Sequence, residues 1–177
     1  MRLHYNTEDL VLRARQKDQL AMKLLYEKAA KSMFSLSYRI TNDVEDSKDV
    51  LQEAFITSFN QLHKLSEPSK YFGWLKRIVV NGSIKVAKSK IHYKELDGLP
   101  IIDDISETPY GNFSSEILKK AIQELPNGCR EVLTLYLLED YKHREIAEFL
   151  EIKVSTSKSQ YGYALKLLRT SLEKYKV

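Results

Sequence analysis

The chain has 177 residues, 29% of them charged, and a formal net charge of +4. That length can bury the core of one medium domain or of two small ones. A single cysteine, Cys129, excludes an internal disulfide, no apolar run approaches the ~18 residues of a membrane span, and the start MRLHYNTEDL lacks a signal-peptide core, so a soluble, cytoplasmic protein is expected.

Six glycines and four prolines leave little material for hairpins, and the elements read as helices in order. Glu8 to Arg15 forms a short one, with Thr7 as its expected N-cap and Leu10, Val11 and Ala14 as apolar contacts. A longer helix runs from about Gln19 to Ile40, its stripe being Leu20, Leu24, Ala29 or Ala30, Met33, Leu36 and Ile40. The segment NDVEDSKDVLQEAFITSFNQL opens on capping residues and acids, as a helix dipole favours, and buries Val50, Leu51, Ala54, Phe55, Ser58 and Leu62. Ser66-Glu67-Pro68-Ser69 breaks it.

The stretch YFGWLKRIVVNGSIKVAKSK, Tyr71 to Lys90, is an amphipathic helix with Phe72, Leu75, Ile78 and Val79 on one face. It holds no acid, and Lys70, Lys76, Arg77, Lys85, Lys88 and Lys90 lie along it beside the chain's only tryptophan, Trp74. Two readings fit. Cations hold phosphates and aromatic faces accept unstacked bases, which suits a separated DNA strand. Alternatively the aromatics pack inward and the lysines face water.

From Tyr93 to Phe113 the acids Glu95, Asp97, Asp103, Asp104 and Glu107 outnumber Lys94, among two prolines and two glycines, and this reads as an acidic linker. A second unit starts near Ser114. Ile117, Leu118, Ala121, Ile122 and Leu125 make a helix ended by Pro126-Asn127-Gly128. Arg130 to Leu138 is the next, with Val132, Leu133, Tyr136 and Leu137 for the core. Lys142 to Leu150 buries Ile146, Ala147 and Leu150. After Glu151-Ile152-Lys153 a last helix runs from about Val154 to Tyr175. Val154, Tyr161, Ala164, Leu165, Leu168 and Leu172 fall on one side, and Thr156, Ser159, Gln160, Tyr163 and Lys166 on the other.

Two short helices joined by a tight turn, the second with a polar outer face, describe a helix-turn-helix. Ser155, Thr156, Lys158, Ser159, Gln160, Tyr163 and Lys166 are its candidate DNA contacts, being donors, amides or cations suited to base edges and phosphates. A plain helical hairpin is the alternative. His4, His63, His92 and His143 have no zinc spacing, Cys129 has no nearby histidine, and no glycine-rich phosphate loop occurs. No metal, cofactor or small-molecule substrate is expected, and no enzymatic activity.

With these motifs in order, the chain resembles extracytoplasmic-function (ECF) sigma factors, the two-domain promoter-recognition subunits of bacterial RNA polymerase. KDQLAMKLLYEKAA is similar to the family's opening helix, and DSKDVLQEAFITSF to the helix that docks on the β′ clamp helices. WLKRIVVNGSIKVAKSK is similar to the segment that reads and melts the −10 element. LKKAIQELPNGCREVLTLYLLEDYKHREIAEFLEIKVSTSKSQ is similar to the domain that binds the −35 element, and HREIAEFL…TSKSQ looks most like Bacteroidetes sigma factors.

The resemblance implies an all-α protein of two small domains, 1–92 and 114–177, joined by an acidic linker over 93–113, with the helix-turn-helix in the second. It implies core polymerase contacts at Asp49, Gln52, Glu53 and Phe55, and −10 contacts at Lys70, Trp74, Lys76, Arg77, Asn81, Lys85 and Lys88. Core RNA polymerase (β′ clamp helices and β subunit), promoter DNA and an anti-sigma factor are the implied partners. The linker resembles the family's connector, which threads toward the polymerase active centre; a passive solvated linker fits its acids as well.

The chain departs from the family at Lys142 and Lys153, where a capping Ser is usual, and at Glu151, where Gly is usual. Asp140 and Ser155 are the candidate substitute caps. Tyr163 and Leu165 replace common arginines, and Lys85 a common acid. Two other readings therefore stand beside the sigma factor: a stand-alone helix-turn-helix regulator, and a degenerate sigma-like interaction module.

Overall fold

The computed structural model describes residues 6–90 and 114–175; the linker expected over 93–113 lies outside them. The described residues are helical, without strands, and fall into two compact units that part after Lys90.

The first unit contains α1 (Thr7–Arg15), α2 (Gln19–Thr41), α3 (Val44–Asn60) and α4 (Tyr71–Lys90), with 3₁₀ turns at Leu62–Lys64 and Pro68–Lys70. The N-cap of α1 is Asn6, whose Oδ1 accepts the Glu8 N–H, and not the expected Thr7. Asp18 caps α2 through the N–H groups of Leu20 and Ala21. The Arg13 guanidinium, 2.8 Å away, and secondarily the capped N–H groups hold the Asp18 carboxyl below its usual range. With Asp18 fixing where α2 starts, its buried stripe begins at Ala21, Leu25 and Ala29, and Leu20 is 51% exposed. The expected stripe was one residue out of phase at Leu20 and Leu24 and correct at Ala29, Leu36 and Ile40.

α4 packs on both α2 and α3 and centres the unit. Its buried face is Tyr71, Leu75, Val79, Val80, Ile84 and Ala87. Tyr71, fully buried, takes the place expected of the half-buried Phe72. Its hydroxyl meets Ser58 Oγ of α3 at 3.1 Å, and burial raises its pKa to about 12. On the other side Ser83 Oγ donates to Ser37 Oγ of α2 at 2.9 Å. Each buried hydroxyl is thus paired across a helix interface, which avoids the desolvation cost of about 1–3 kcal/mol for an orphan. Arg15 fastens α1 to the rest by donating to the carbonyls of Leu62 and Leu65.

The second unit contains α5 (Ser115–Gln123), α6 (Asn127–Leu133), α7 (His143–Leu150) and α8 (Val154–Glu173). Ser114 caps α5 through the Ile117 N–H. Pro126-Asn127-Gly128 ends α5 as expected but also opens α6, three residues before the expected start at Arg130. Pro126 sits at the N-cap of α6, just before the first turn, whose N–H groups have no intrahelical acceptor. Buried Arg130 closes the corner, donating to Leu125 O at 2.9 Å and to Asn127 Oδ1 at 2.6 Å. After α6 the chain makes a π-helical turn at Thr134–Leu138, which shifts the register. Leu135 therefore enters the core, and Tyr136, expected inside, is 37% exposed.

α7 and α8 form the helix-turn-helix without side-chain caps. Their N-cap residues are Lys142 and Lys153, so neither Asp140 nor Ser155 takes the capping position. Glu145 supplies the return half of a capping box, its Oε2 accepting the Lys142 N–H at 2.9 Å. Glu151 ends α7 in the left-handed region at φ 57°, where a Cβ is strained and glycine is not. His143 ties the two helices together. Its Nδ1 lies 2.9 Å from Ser157 Oγ, and its ring stacks on Tyr136 at 4.2 Å and meets Tyr161 edge-on at 5.7 Å. Burial, and the Lys158 cation second, push the His143 pKa below its ordinary value.

Two outcomes are expected. Glu151→Gly relieves the left-handed strain and raises stability by roughly 1 kcal/mol, while Glu151→Ala, which keeps the Cβ, does not. Urea unfolding followed by circular dichroism measures both. Because folded His143 resists the proton that the unfolded chain accepts, its contribution is complete at neutral pH and falls as pH drops through the ordinary histidine range. Melting temperatures at successive pH values should fall more steeply for the natural chain than for His143→Phe, which keeps a ring and loses the titration.

Candidate functional site

In the first unit α3 and α4 lie side by side and leave an open groove of about 520 Å³ between them. Val50, Ala54, Ile78 and Val86 give it an apolar floor. Asp49 and Glu53 stand on the α3 rim, and Asn81 and Lys85 on the α4 rim. All four are exposed, as is Gln52. Residues assigned to two different partners thus share one groove. Gly82 lets the helices meet, since a Cβ there would stand 3.2 Å from Val50 Cγ1.

Phe55 does not belong on that surface. It is 4% exposed and packs against Tyr26 at 4.7 Å and Phe59 at 5.8 Å, so it holds α3 in place from beneath. Ile56, next to it and 46% exposed, is an apolar side chain that α3 offers to solvent, as is Val44 in its first turn.

The start of α4 carries the aromatic cluster. Trp74 is half-buried, its ring 6.4 Å from that of Tyr71, so it is neither a core residue nor a free platform. Arg77 is exposed on the same helix, while Lys76 and Lys88 are half-buried. Exposed Lys70 pairs with Glu67 at 2.8 Å, a surface pair that a competing phosphate can open at little cost.

In the second unit the outward side of α8 is narrower than its sequence indicates. Ser155, Lys158 and Lys166 are exposed; Thr156 and Tyr163 are half-buried. Gln160 is only 6% exposed because it packs over α6: a Cβ on Gly128 would stand 2.8 Å from its Nε2. Ser159, 9% exposed, turns back to donate to Ser155 O at 2.9 Å. Both side chains thus turn inward, where the helical wheel had placed them outward. Sequence reasoning placed them by angle alone and did not see that Gly128 opens a place for the glutamine. It also left out Arg144 on α7 and Arg169 on α8, both exposed cations. Isolated basic residues on a helical wheel carry no signal of their own until neighbouring helices are placed.

No metal-binding group of His, Cys, Asp or Glu occurs among the described residues, and no described helix is long and apolar enough to cross a membrane. Cys129 is buried, and burial raises its thiol pKa to about 11, away from nucleophile chemistry.

Residues 25–90 match the family model for Sigma-70 region 2, and residues 115–168 that for Sigma-70, region 4. The RNA polymerase sigma-H factor of Pseudomonas aeruginosa is 27% identical, covering 94% of this chain and 93% of that protein. The ECF RNA polymerase sigma-E factor of Escherichia coli is 29% identical, covering 85% and 86%. Among solved structures, the sigma factor RpoE in complex with the anti-sigma factor NepR from Bartonella quintana is similar in fold. It has a TM-score of 0.57 at 18% identity, over 85% of this chain and 96% of that one. CnrH in complex with the cytosolic domain of CnrY matches with 0.55 at 19% identity, over 97% and 99%. The two matched regions span well over half of the sequence, the curated relatives run along most of it, and the chain belongs to the ECF-type sigma-70 family of RNA polymerase sigma factors.

Proposed function

We propose that this chain is a cytoplasmic ECF sigma factor of the Bacteroidetes type that carries core RNA polymerase to promoters and helps separate the strands, performing no covalent chemistry itself. The observation that carries this is the division of surface. An acidic rim on α3 and a cationic, aromatic α4 lie in one unit, and a second cationic helix, α8, lies in another. A stand-alone regulator needs only the last. Residues 1–92 serve as the polymerase-binding and −10 domain, 93–113 as linker, and 114–177 as the −35 domain.

Asp49, Gln52 and Glu53 meet a basic partner, the β′ clamp helices, with Phe55 supporting them from beneath. Lys70, Trp74, Lys76, Arg77, Asn81, Lys85 and Lys88 hold the −10 region, cations on phosphates and Trp74 against an unstacked base. Ser155, Thr156, Lys158, Tyr163 and Lys166 contact the −35 duplex. One structural neighbour, RpoE, is bound to the anti-sigma factor NepR, and this chain is proposed to have such a partner too.

Promoter-dependent run-off transcription with purified core polymerase tests the whole reading: specific transcripts appear only when the chain is added. The double reversal Asp49→Lys with Glu53→Lys should keep the circular dichroism of the natural chain and lose co-purification with core polymerase. Undiminished co-purification places the interface elsewhere. Tyr163→Arg supplies the cation usual in the family. It should tighten binding to many duplexes alike and steepen the log-affinity against log-salt slope by about one unit, as one added phosphate contact requires. An unchanged slope means that Tyr163 does not face the phosphates.

A further inference from the structure

With Ser159 and Gln160 buried, the first turns of α8 present few groups to a duplex: Val154, Ser155 and Lys158 exposed, Thr156 and Tyr163 half-buried. Val154 stands apart from the others. It is 41% exposed, and among the large apolar side chains of α8 it is the exposed one; Tyr161, Leu165, Leu168 and Leu172 are all buried. It has no capping role, since Lys153 is the N-cap residue. A β-branched residue is also a poorer helix former than the straight-chain residues that suit a solvated first turn. The unit's own packing therefore gives no reason for a valine here.

A partner does. The N-terminal residues of a recognition helix are those that reach base edges in the major groove. A valine side chain has no donor for a phosphate and no acceptor for a base amine. Each base pair's major-groove edge is a row of donors and acceptors, and the one apolar group among them is the C5-methyl of thymine. We infer that Val154 is a specificity-determining residue that selects thymine at one position of the −35 element by packing against its C5-methyl group. Ser155 and Lys158 flank it and supply polar and phosphate contacts that fix the register of the helix. This rests on the proposed binding of α8 to −35 DNA.

The test uses the full-length chain assembled with core polymerase and a pool of duplexes randomised across the −35 window. Enriched duplexes are resynthesised with each thymine replaced in turn by deoxyuridine, which removes only the methyl group. One replacement should weaken binding about four-fold, the factor contributed by burying one methyl-sized apolar group. Val154→Ser should bind thymine and deoxyuridine duplexes equally, and Val154→Thr, which keeps a methyl, should retain part of the preference. If duplexes enrich but every replacement is neutral, or Val154→Ser keeps the sensitivity, the inference is overturned while −35 binding stands. If no duplex enriches, the proposed −35 role of α8 falls and the inference falls with it.

Discussion

In each unit one long helix has to serve as core and as contact surface together, and its registration against its neighbours decides what is left for a partner. α4 meets this by pairing hydroxyls across both of its interfaces, Tyr71 with Ser58 of α3 and Ser83 with Ser37 of α2. A hydrogen bond is directional where apolar packing is not, so two of them on nearly opposite ends of the buried stripe fix the rotation of α4 as well as its depth. A slip of one residue would bury Phe72 and Lys76 and break both cross-helix pairs. With rotation fixed, Asn81 and Lys85 must stand at the groove, opposite Asp49 and Glu53. The groove thus joins acid and base by construction, and a partner that fills it has to satisfy both rims.

α8 solves the same problem with a glycine. Gly128 at the first turn of α6 leaves space for Gln160, and the close approach turns that residue and Ser159 away from solvent. Beside the exposed Val154, the strip that remains is carried by Ser155, Lys158, Lys166 and Arg169, weighted toward charge and not toward hydrogen-bonding pairs. Cations grip phosphates without reading sequence. On the proposed reading, such a helix grips duplexes broadly and depends on few groups for discrimination.

Much of this was legible in the sequence. The helix-turn-helix was placed because Ile146, Ala147 and Leu150 repeat at helical spacing just before a tight turn, and the buried apolar residues of α3 were found because Val50, Leu51, Ala54 and Phe55 keep that spacing, whereas buried Ser47 was missed because a serine carries no apolar signal. The errors have separate causes. α2 slipped at Leu20 because two apolar residues in succession, Leu24 and Leu25, fit the stripe equally until Asp18 fixed where the helix begins. Tyr136 was placed inside because helical spacing assumes a constant period, and the π-helical turn adds a residue to it. Phe55 was rightly expected in the core, and it lies beneath the exposed Asp49, Gln52 and Glu53, because nearness in sequence does not put it on their face.

The uncapped starts of α7 and α8 and the strained Glu151 belong to one pattern. Three local choices that ordinarily stabilise a helix-turn-helix are missing, each worth about 1 kcal/mol, yet α7 and α8 remain joined. What replaces them is tertiary: His143 is clasped by Ser157, Tyr136 and Tyr161, which come from α8 and from the turn before α7. Local caps hold each helix separately, whereas this cluster holds the angle between two. The motif thus rests on a cluster centred on a titratable ring, whose burial disfavours the proton. Lys158, which disfavours the proton on His143, is also one of the exposed cations on α8. A phosphate that neutralised Lys158 would remove that repulsion, so anion binding on α8 and the protonation of His143 are linked and each should favour the other.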